Sequence, residues 1–187
     1  MKISPMPAYL SQRDNINTDG TTNRTTQCFI SSGTMFLNAM ADRFKFTKFD
    51  ELAYLSTIEG WTKQTRETDT RYDWQVHKDV INTILEGQKR KEFVEIHKVQ
   101  DSHKKILESL DDNFPVLCSI NISKFYNGAV GHIVLIVGYN EIGTFFHDPF
   151  GNAKTRYKNQ DGQCVLYSQT ELKDMIDSDR RCMIIEK

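Results

Sequence analysis

The spacing of apolar residues predicts helices in the first half of the chain. After a polar, turn-rich N-terminal stretch, apolar residues recur every three or four positions beyond Cys28, which is the spacing of a helix that buries one face. Thr26 is the expected N-cap of this helix. Two further helices are expected, one over about residues 49–58 that is ended by Gly60, and one over residues 73–86.

The second half of the chain changes to strand-like patterns. Short apolar or alternating runs predict strands near residues 93–99, 114–121, 132–139, 144–148, 163–167 and 182–185, with helices over 102–110 and 169–176. The run from His132 to Tyr139 is apolar on both faces, as expected of a central strand covered on two sides. Helices followed by strands predict an α+β fold, with N-terminal helices packed on a C-terminal antiparallel β-sheet.

Composition and charge narrow the class of protein. A chain of 187 residues, 39% hydrophobic and 26% charged, is expected to form one globular domain over residues 1–187. Its net charge of −1 gives no electrostatic basis for general nucleic-acid binding. Basic runs such as Arg180-Arg181 lie near acidic residues and are interpreted as solvated surface. With neither a signal-peptide core nor an apolar run of membrane-spanning length, the chain is expected to be made in a cytoplasm.

The four cysteines differ in their surroundings. They form no CxxC pair and no zinc-like spacing, so neither a metal nor another cofactor is expected. Cys118 and Cys182 lie in strand-like apolar runs and are interpreted as small buried hydrophobes. Only Cys28 stands at the start of a predicted helix, where the helix dipole stabilises a thiolate. Cys28 is therefore the candidate nucleophile.

His132 and Asp148 complete a candidate relay with Cys28. A histidine at the start of a strand can act as a base, and a carboxylate on the next strand can accept its N–H and fix its tautomer. His147 and Asp148 are neighbours on one strand, so their side chains point to opposite faces. Asp148 is the better partner for His132, and His147 is interpreted as a surface or supporting residue. The same divergence argues against a zinc site built from Cys28, His132, His147 and Asp148.

An enzyme that cleaves amides by this chemistry also needs donors for the oxyanion. The backbone N–H of Cys28 at the helix N-terminus is one candidate. A side-chain amide is the usual second donor, and either Gln12 or Gln27 can provide it. The Gln27 side chain is expected to point away from the nucleophile, whereas Gln12 can fold back over the helix start.

Four short motifs stand in a fixed order along the chain. They are Ser11-Gln12-Arg13-Asp14-Asn15, Cys28 at a helix start, Gly131-His132 with Gly138-Tyr139, and Asp148-Pro149 followed by Gly151. Over about residues 8–185 the chain resembles a family of papain-like peptidases typified by bacteriocin-leader processing enzymes, in particular its cell-wall-cleaving branch. The resemblance implies a papain-like fold with Cys28 as nucleophile and His132 as general base. It also implies that Asp148 orients His132 and that Gln12 is the oxyanion donor.

The leading hypothesis is a cysteine peptidase or amidase that acts through a thioester with Cys28. The resemblance implies that the substrate is the peptide part of peptidoglycan, as for phage lysins released by cell lysis. A protein substrate, either a leader peptide or an isopeptide-linked chain, is the alternative partner. A transglutaminase-like acyl transferase uses the same residue order, and a catalytically silent virion, structural or binding protein could keep the same fold. The sequence leaves the oligomeric state open.

Overall fold

A computed structural model of the chain describes residue 3 and residues 5–23, 25–65, 72–126, 131–176 and 179–187, with residues 62–65 described by their backbone alone. Within these ranges it contains five helices: α1 (Cys28–Phe44), α2 (Glu51–Thr65), α3 (Trp74–Gly87), α4 (His103–Asp111) and α5 (Gln169–Met175). The strands are β1 (Phe93–Lys98), β2 (Val116–Ile120), β3 (His132–Tyr139), β4 (Gly143–His147), β5 (Val165–Ser168) and β6 (Arg181–Glu186). No helix in these ranges is both long and apolar enough to cross a membrane.

The strands form one antiparallel sheet in the order β1-β6-β2-β3-β4-β5. With the helices packed against it, this sheet confirms the predicted α+β fold. β3 lies between β2 and β4, and seven of its eight residues are buried. The continuous apolar pattern of this strand follows from that position, because both of its faces are covered.

α1 is the helix that carries the candidate nucleophile into the core. It begins at Cys28, as predicted, and packs against β2 and β3. Ser32 on α1 donates a hydrogen bond to the Ile133 carbonyl of β3, at 3.0 Å. The predicted N-cap is wrong: Gln27 occupies that position, because the Thr26 hydroxyl is bonded to Asn23 Oδ1 at 2.7 Å. The first turn of α1 is thus held directly against the start of β3.

α2 extends beyond the end predicted at Gly60 and continues to Thr65. The buried residues Tyr54, Leu55 and Ile58 anchor this helix, and burial of an apolar face outweighs the cost of about 1 kcal/mol for glycine within a helix. α2 comes very close to α1 at Gly33, where a Cβ would lie 2.7 Å from the Tyr54 ring.

His77 joins the three N-terminal helices. Its Nδ1 is 2.9 Å from the hydroxyl of Tyr54 on α2. Its ring stacks on Phe29 of α1 with the ring centroids 3.6 Å apart. His77 itself belongs to α3 and is fully buried. Phe29, the residue next to Cys28, therefore packs against α3, and Tyr54 of α2 holds the histidine on which Phe29 stacks.

Candidate active site

His132 and Asp148 meet at one end of the β3–β4 pair. His132 is the first residue of β3, and Asp148 follows the last residue of β4. Because these strands are antiparallel, with Leu135 opposite His147, the chain leaving β4 returns to the start of β3. His132 Nε2 lies 2.6 Å from Asp148 Oδ1. A carboxylate can only accept hydrogen bonds, so Nε2 carries a proton and Nδ1 is left as the ring nitrogen that can take another.

Cys28 lies beside His132 in the same groove, and its side chain is close enough to raise the pKa of the imidazole. The packing of α1 on β3 brings these two residues together. Burial opposes a charge on His132, but the Asp148 carboxylate and the Cys28 side chain more than offset it and raise the pKa of His132 to about 10. The imidazolium is therefore favoured at neutral pH.

Asp148 is held by its surroundings as well as by His132. Its Oδ1 also accepts a hydrogen bond from the backbone N–H of Phe150, at 2.9 Å. Its own backbone N–H donates to the Gly162 carbonyl at 2.9 Å. A Cβ at Gly162 would lie 1.9 Å from the Asp148 carbonyl oxygen. The two backbone segments can therefore come this close only because residue 162 is glycine. The carboxylate is thus fixed before any substrate binds.

Tyr157 is a site residue that the sequence analysis missed. Its hydroxyl donates to Asp148 Oδ2 at 3.3 Å, and its ring contacts the His132 ring edge-on with centroids 6.3 Å apart. Burial and the charge of Asp148 raise the pKa of Tyr157 above its ordinary range, so it stays a neutral donor. It lies in a loop with φ of 60°, where no hydrophobic period or motif signals a role.

His147 diverges from Asp148, as strand alternation predicted. Its Nε2 lies 3.2 Å from the Pro7 carbonyl, and its Nδ1 accepts the backbone N–H of Cys164 at 3.1 Å. Of the two interpretations, surface or supporting residue, the burial of the side chain excludes the first. Within the described ranges, no group of three His, Cys, Asp or Glu side chains is arranged to hold a metal ion.

The Ser11–Asn15 motif ties the loop after Asp148 to the N-terminal segment. Ser11 caps a short 3-10 turn, Gln12–Asp14, whose first backbone N–H donates to the Pro149 carbonyl at 2.9 Å. Arg13 Nε donates to the Phe150 carbonyl at 2.7 Å, and its guanidinium lies 4.0 Å from the Phe150 ring centroid. The turn also packs against α1. Gln12 is therefore buried between the nucleophile helix and the Asp-Pro loop, with 1% exposure.

Gln27 is committed to a different network, directed away from the site as expected. Its Oε1 accepts a hydrogen bond from Asn15 Nδ2 at 3.0 Å. Its Nε2 donates to the Ile16 carbonyl at 3.2 Å and to Asn17 Oδ1 at 3.1 Å. Asn15 also donates to Ser31 on α1 at 2.9 Å. The amide of Gln27 thus holds the N-terminal loop on the start of α1.

A groove of about 330 Å³ opens at Cys28 and His132. The aromatic side chains of Phe29, Tyr72 and Trp74 contribute to its lining, as do Arg180 and Arg181. The interpretation of both arginines as solvated surface is only half correct: Arg181 is exposed, but Arg180 is half-buried. The groove therefore places aromatic and basic side chains next to the candidate nucleophile.

Helices on an antiparallel sheet, with a cysteine opening the first helix and a histidine–aspartate pair on neighbouring strands, define the papain-like class of cysteine peptidase folds. A model of the Peptidase_C39 like family matches residues 7–172, and the chain belongs to this family. A crystal structure of a C39-like peptidase from Bacillus anthracis has a TM-score of 0.60 to this chain. The match covers 100% of this chain and 98% of that one at 10% identity, so the likeness concerns the fold. No curated protein matches the chain.

Proposed function

We propose that the protein is a cysteine peptidase or amidase in which Cys28 attacks the carbonyl carbon of an amide bond. One observation carries the proposal: a buried imidazole, hydrogen-bonded to Asp148 at 2.6 Å, lines the same groove as the helix-opening Cys28, whose side chain helps to raise its pKa. This arrangement is suited to nucleophilic catalysis, because the base is oriented and its charged form is stabilised.

The proposed reaction moves one proton through His132. Nδ1 holds the proton that the Cys28 thiol has given up, and the thiolate adds to the carbonyl carbon to form a tetrahedral intermediate. When the C–N bond breaks, the imidazolium gives the proton to the leaving amine, and a thioester remains on Cys28. His132 then removes a proton from water, which attacks the thioester and releases the acid and the free thiol.

The proposed oxyanion donors are the backbone N–H of Cys28 and the side-chain amide of Gln12. The Gln27 side chain does not cap α1, so it does not compete with an oxyanion for the N–H groups of the first turn. Both donors of the Gln27 amide are already used by the N-terminal loop. Gln12 is the alternative amide, buried on a turn that packs against α1. The geometry of the loop therefore favours Gln12 over Gln27 as the side-chain donor to the oxyanion.

We infer that the amide bonds cleaved are in the peptide part of peptidoglycan, reached after the protein is released from the cell that makes it, as for a phage lysin. The support is the Ser11–Asn15 motif, which resembles the cell-wall-cleaving branch of the family and here braces the loop after Asp148. Leader peptides and isopeptide-linked chains are the competing substrates.

The test is to incubate the protein with purified bacterial sacculi and, separately, with mixed protein substrates, and to identify new termini by mass spectrometry. We expect new termini from sacculi with the wild type and with Cys164→Ala, a control at a half-buried cysteine outside the relay. Cys28→Ala should produce none while keeping its thermal unfolding transition. Adding a primary amine separates the alternatives: a transferase releases the amide, whereas a hydrolase releases mainly the acid. Undiminished cleavage by Cys28→Ala would end the proposal.

A further inference from the structure

The groove at Cys28 has an aromatic side built on the start of α1. Trp74 is nearly buried and lies against Phe29, with the ring centroids 4.8 Å apart. Tyr72 is 53% exposed, and its hydroxyl donates to the Thr26 carbonyl at 2.6 Å. These rings offer apolar surface beside the sulfur without any charge.

The other side of the groove is basic and is held by the sheet. The Arg180 carbonyl accepts the backbone N–H of Val99 at 3.0 Å. The backbone N–H of Arg181, the first residue of β6, donates to Ser119 Oγ at 2.8 Å. The chain that carries both arginines is therefore tied to two other segments, which fixes where their side chains begin.

The Arg180 guanidinium lies close to the candidate base. Its Nη1 is 3.6 Å from the position that a Cβ on Gly131 would take, and Gly131 directly precedes His132. Arg180 is half-buried, whereas Asp179 and Arg181 are exposed and screened by solvent. Among the described lining residues other than the relay, two arginines oppose one aspartate, which leaves a charge of 2 − 1 = +1.

A guanidinium is suited to bind a carboxylate in this position. It has five N–H donors in a planar fork, so it can keep an existing partner and still present donors to the groove. Two parallel N–H···O bonds to a carboxylate are stronger and more directional than bonds between neutral groups. The charge of the His132 imidazolium is balanced by the Asp148 carboxylate at 2.6 Å, so the excess positive charge of the groove comes from the arginines.

We propose that Arg180 selects substrates that place a carboxylate beside the scissile amide, either an acidic side chain or a free C-terminus. This inference rests on the proposed function, since it assigns a substrate class to the same groove. It adds a specificity-determining residue outside the relay.

Three isosteric reagents test the inference without a known substrate: iodoacetyl-glutamine amide, iodoacetyl-glutamic acid amide with its side-chain carboxylate, and iodoacetyl-glutamine with a free C-terminus. In each case the Cys28 thiolate displaces iodide and forms a thioether. Rate constants are measured by intact mass, and the labelled residue is located by peptide mapping. Each rate is divided by the rate for N-acetylcysteinamide, which corrects for the intrinsic reactivity of the reagent.

We expect at least one carboxylate reagent to label Cys28 about tenfold faster than the neutral reagent after this correction, as a charged hydrogen-bonded contact would give. The faster carboxylate reagent identifies the source, an acidic side chain or a chain end. The ratio of the carboxylate rate to the neutral rate should fall toward one in Arg180→Gln and stay partly raised in Arg180→Lys. It should also shrink between low ionic strength and about 1 M salt. Arg43→Gln, at the far end of α1, is the matched control and should behave as the wild type.

Equal corrected rates for all three reagents in the wild type would overturn the inference. A preference that survives in a folded Arg180→Gln variant would do the same, because the imidazolium alone would then explain it. A failure of the proposed function would give a different result. Cys28 would then react with the neutral reagent no faster than N-acetylcysteinamide does. If Arg180→Gln does not fold, Arg180→Lys and the salt dependence of the wild type still decide the question.

Discussion

Replacement of Asp148 by asparagine tests the electrostatics of the relay directly. The asparagine side chain would have nearly the same shape, and its Oδ1 could still accept the N–H groups of His132 and Phe150, which Asp148 Oδ1 accepts now. The new amide nitrogen would face the Tyr157 hydroxyl, which can accept as well as donate. The substitution therefore removes a charge and preserves most of the packing.

The expected fall in the pKa of His132 follows from the distance between its charge and the charge of Asp148. Two unit charges about 4 Å apart interact by about 4 kcal/mol at an effective dielectric constant of about 20. That energy corresponds to a change of about a thousandfold in the protonation equilibrium of the imidazole. We therefore expect the pKa of His132 to fall from about 10 in the wild type toward its ordinary value of 6.5 in Asp148→Asn.

The measurement is a pH titration of the imidazole ¹⁵N and ¹H resonances, which reports both the midpoint and the tautomer. The chain has five histidines, and comparison with His132→Gln assigns the relevant signals. The matched control is Asp161→Asn, an exposed carboxylate in the same loop, which should leave the midpoint of His132 unchanged. In a peptidase assay, Asp148→Asn should lower kcat by on the order of 10³–10⁴ because the imidazolium loses the carboxylate that stabilises its charge.

A midpoint for His132 that stays near 10 in Asp148→Asn would refute this reasoning. The raised pKa would then come from Cys28 alone, and Asp148 would be a turn residue. Thermal unfolding of both variants keeps this conclusion separate from a loss of folding.

Three further outcomes are expected. Gln12→Ala should lower kcat by on the order of a hundredfold while Cys28 keeps its alkylation rate; an unchanged kcat would remove Gln12 from the oxyanion site. Gly162→Ala should destabilise the fold by about 1–3 kcal/mol, since its Cβ would meet the Asp148 carbonyl oxygen at 1.9 Å; Gly60→Ala, with no atom within 4 Å of the new Cβ, should be neutral or stabilising in the same urea titrations. The folded pKa of His132 lies above its ordinary value of 6.5, so its charge stabilises the fold fully below pH 6.5, and this contribution is lost as the pH rises through about 10. Relative to His132→Gln, the wild type should lose on the order of 4 kcal/mol over that window, and parallel urea curves for the two proteins would contradict this.

Local patterns in the sequence were sufficient for the elements that position the site. The doubly apolar run at His132–Tyr139 predicted a central strand, and the helical spacing after Cys28 predicted the start of α1; both are confirmed. These predictions succeed because side-chain periodicity records which faces of an element are buried. The prediction that α2 ends at Gly60 was wrong, because packing of α2 on α1 outweighed the weak preference of one glycine against a helix.

By itself, the sequence determined the order of helices and strands and the residue types able to form a relay, since both are written in local periodicity and side-chain chemistry. Only the tertiary structure decided which partners these residues have. It brought His132 to 2.6 Å from Asp148, assigned the Gln27 amide to the N-terminal loop, and placed Tyr157 and Arg180 at the site. Such contacts join segments far apart in the chain, and their geometry depends on how whole elements pack, which no local pattern encodes.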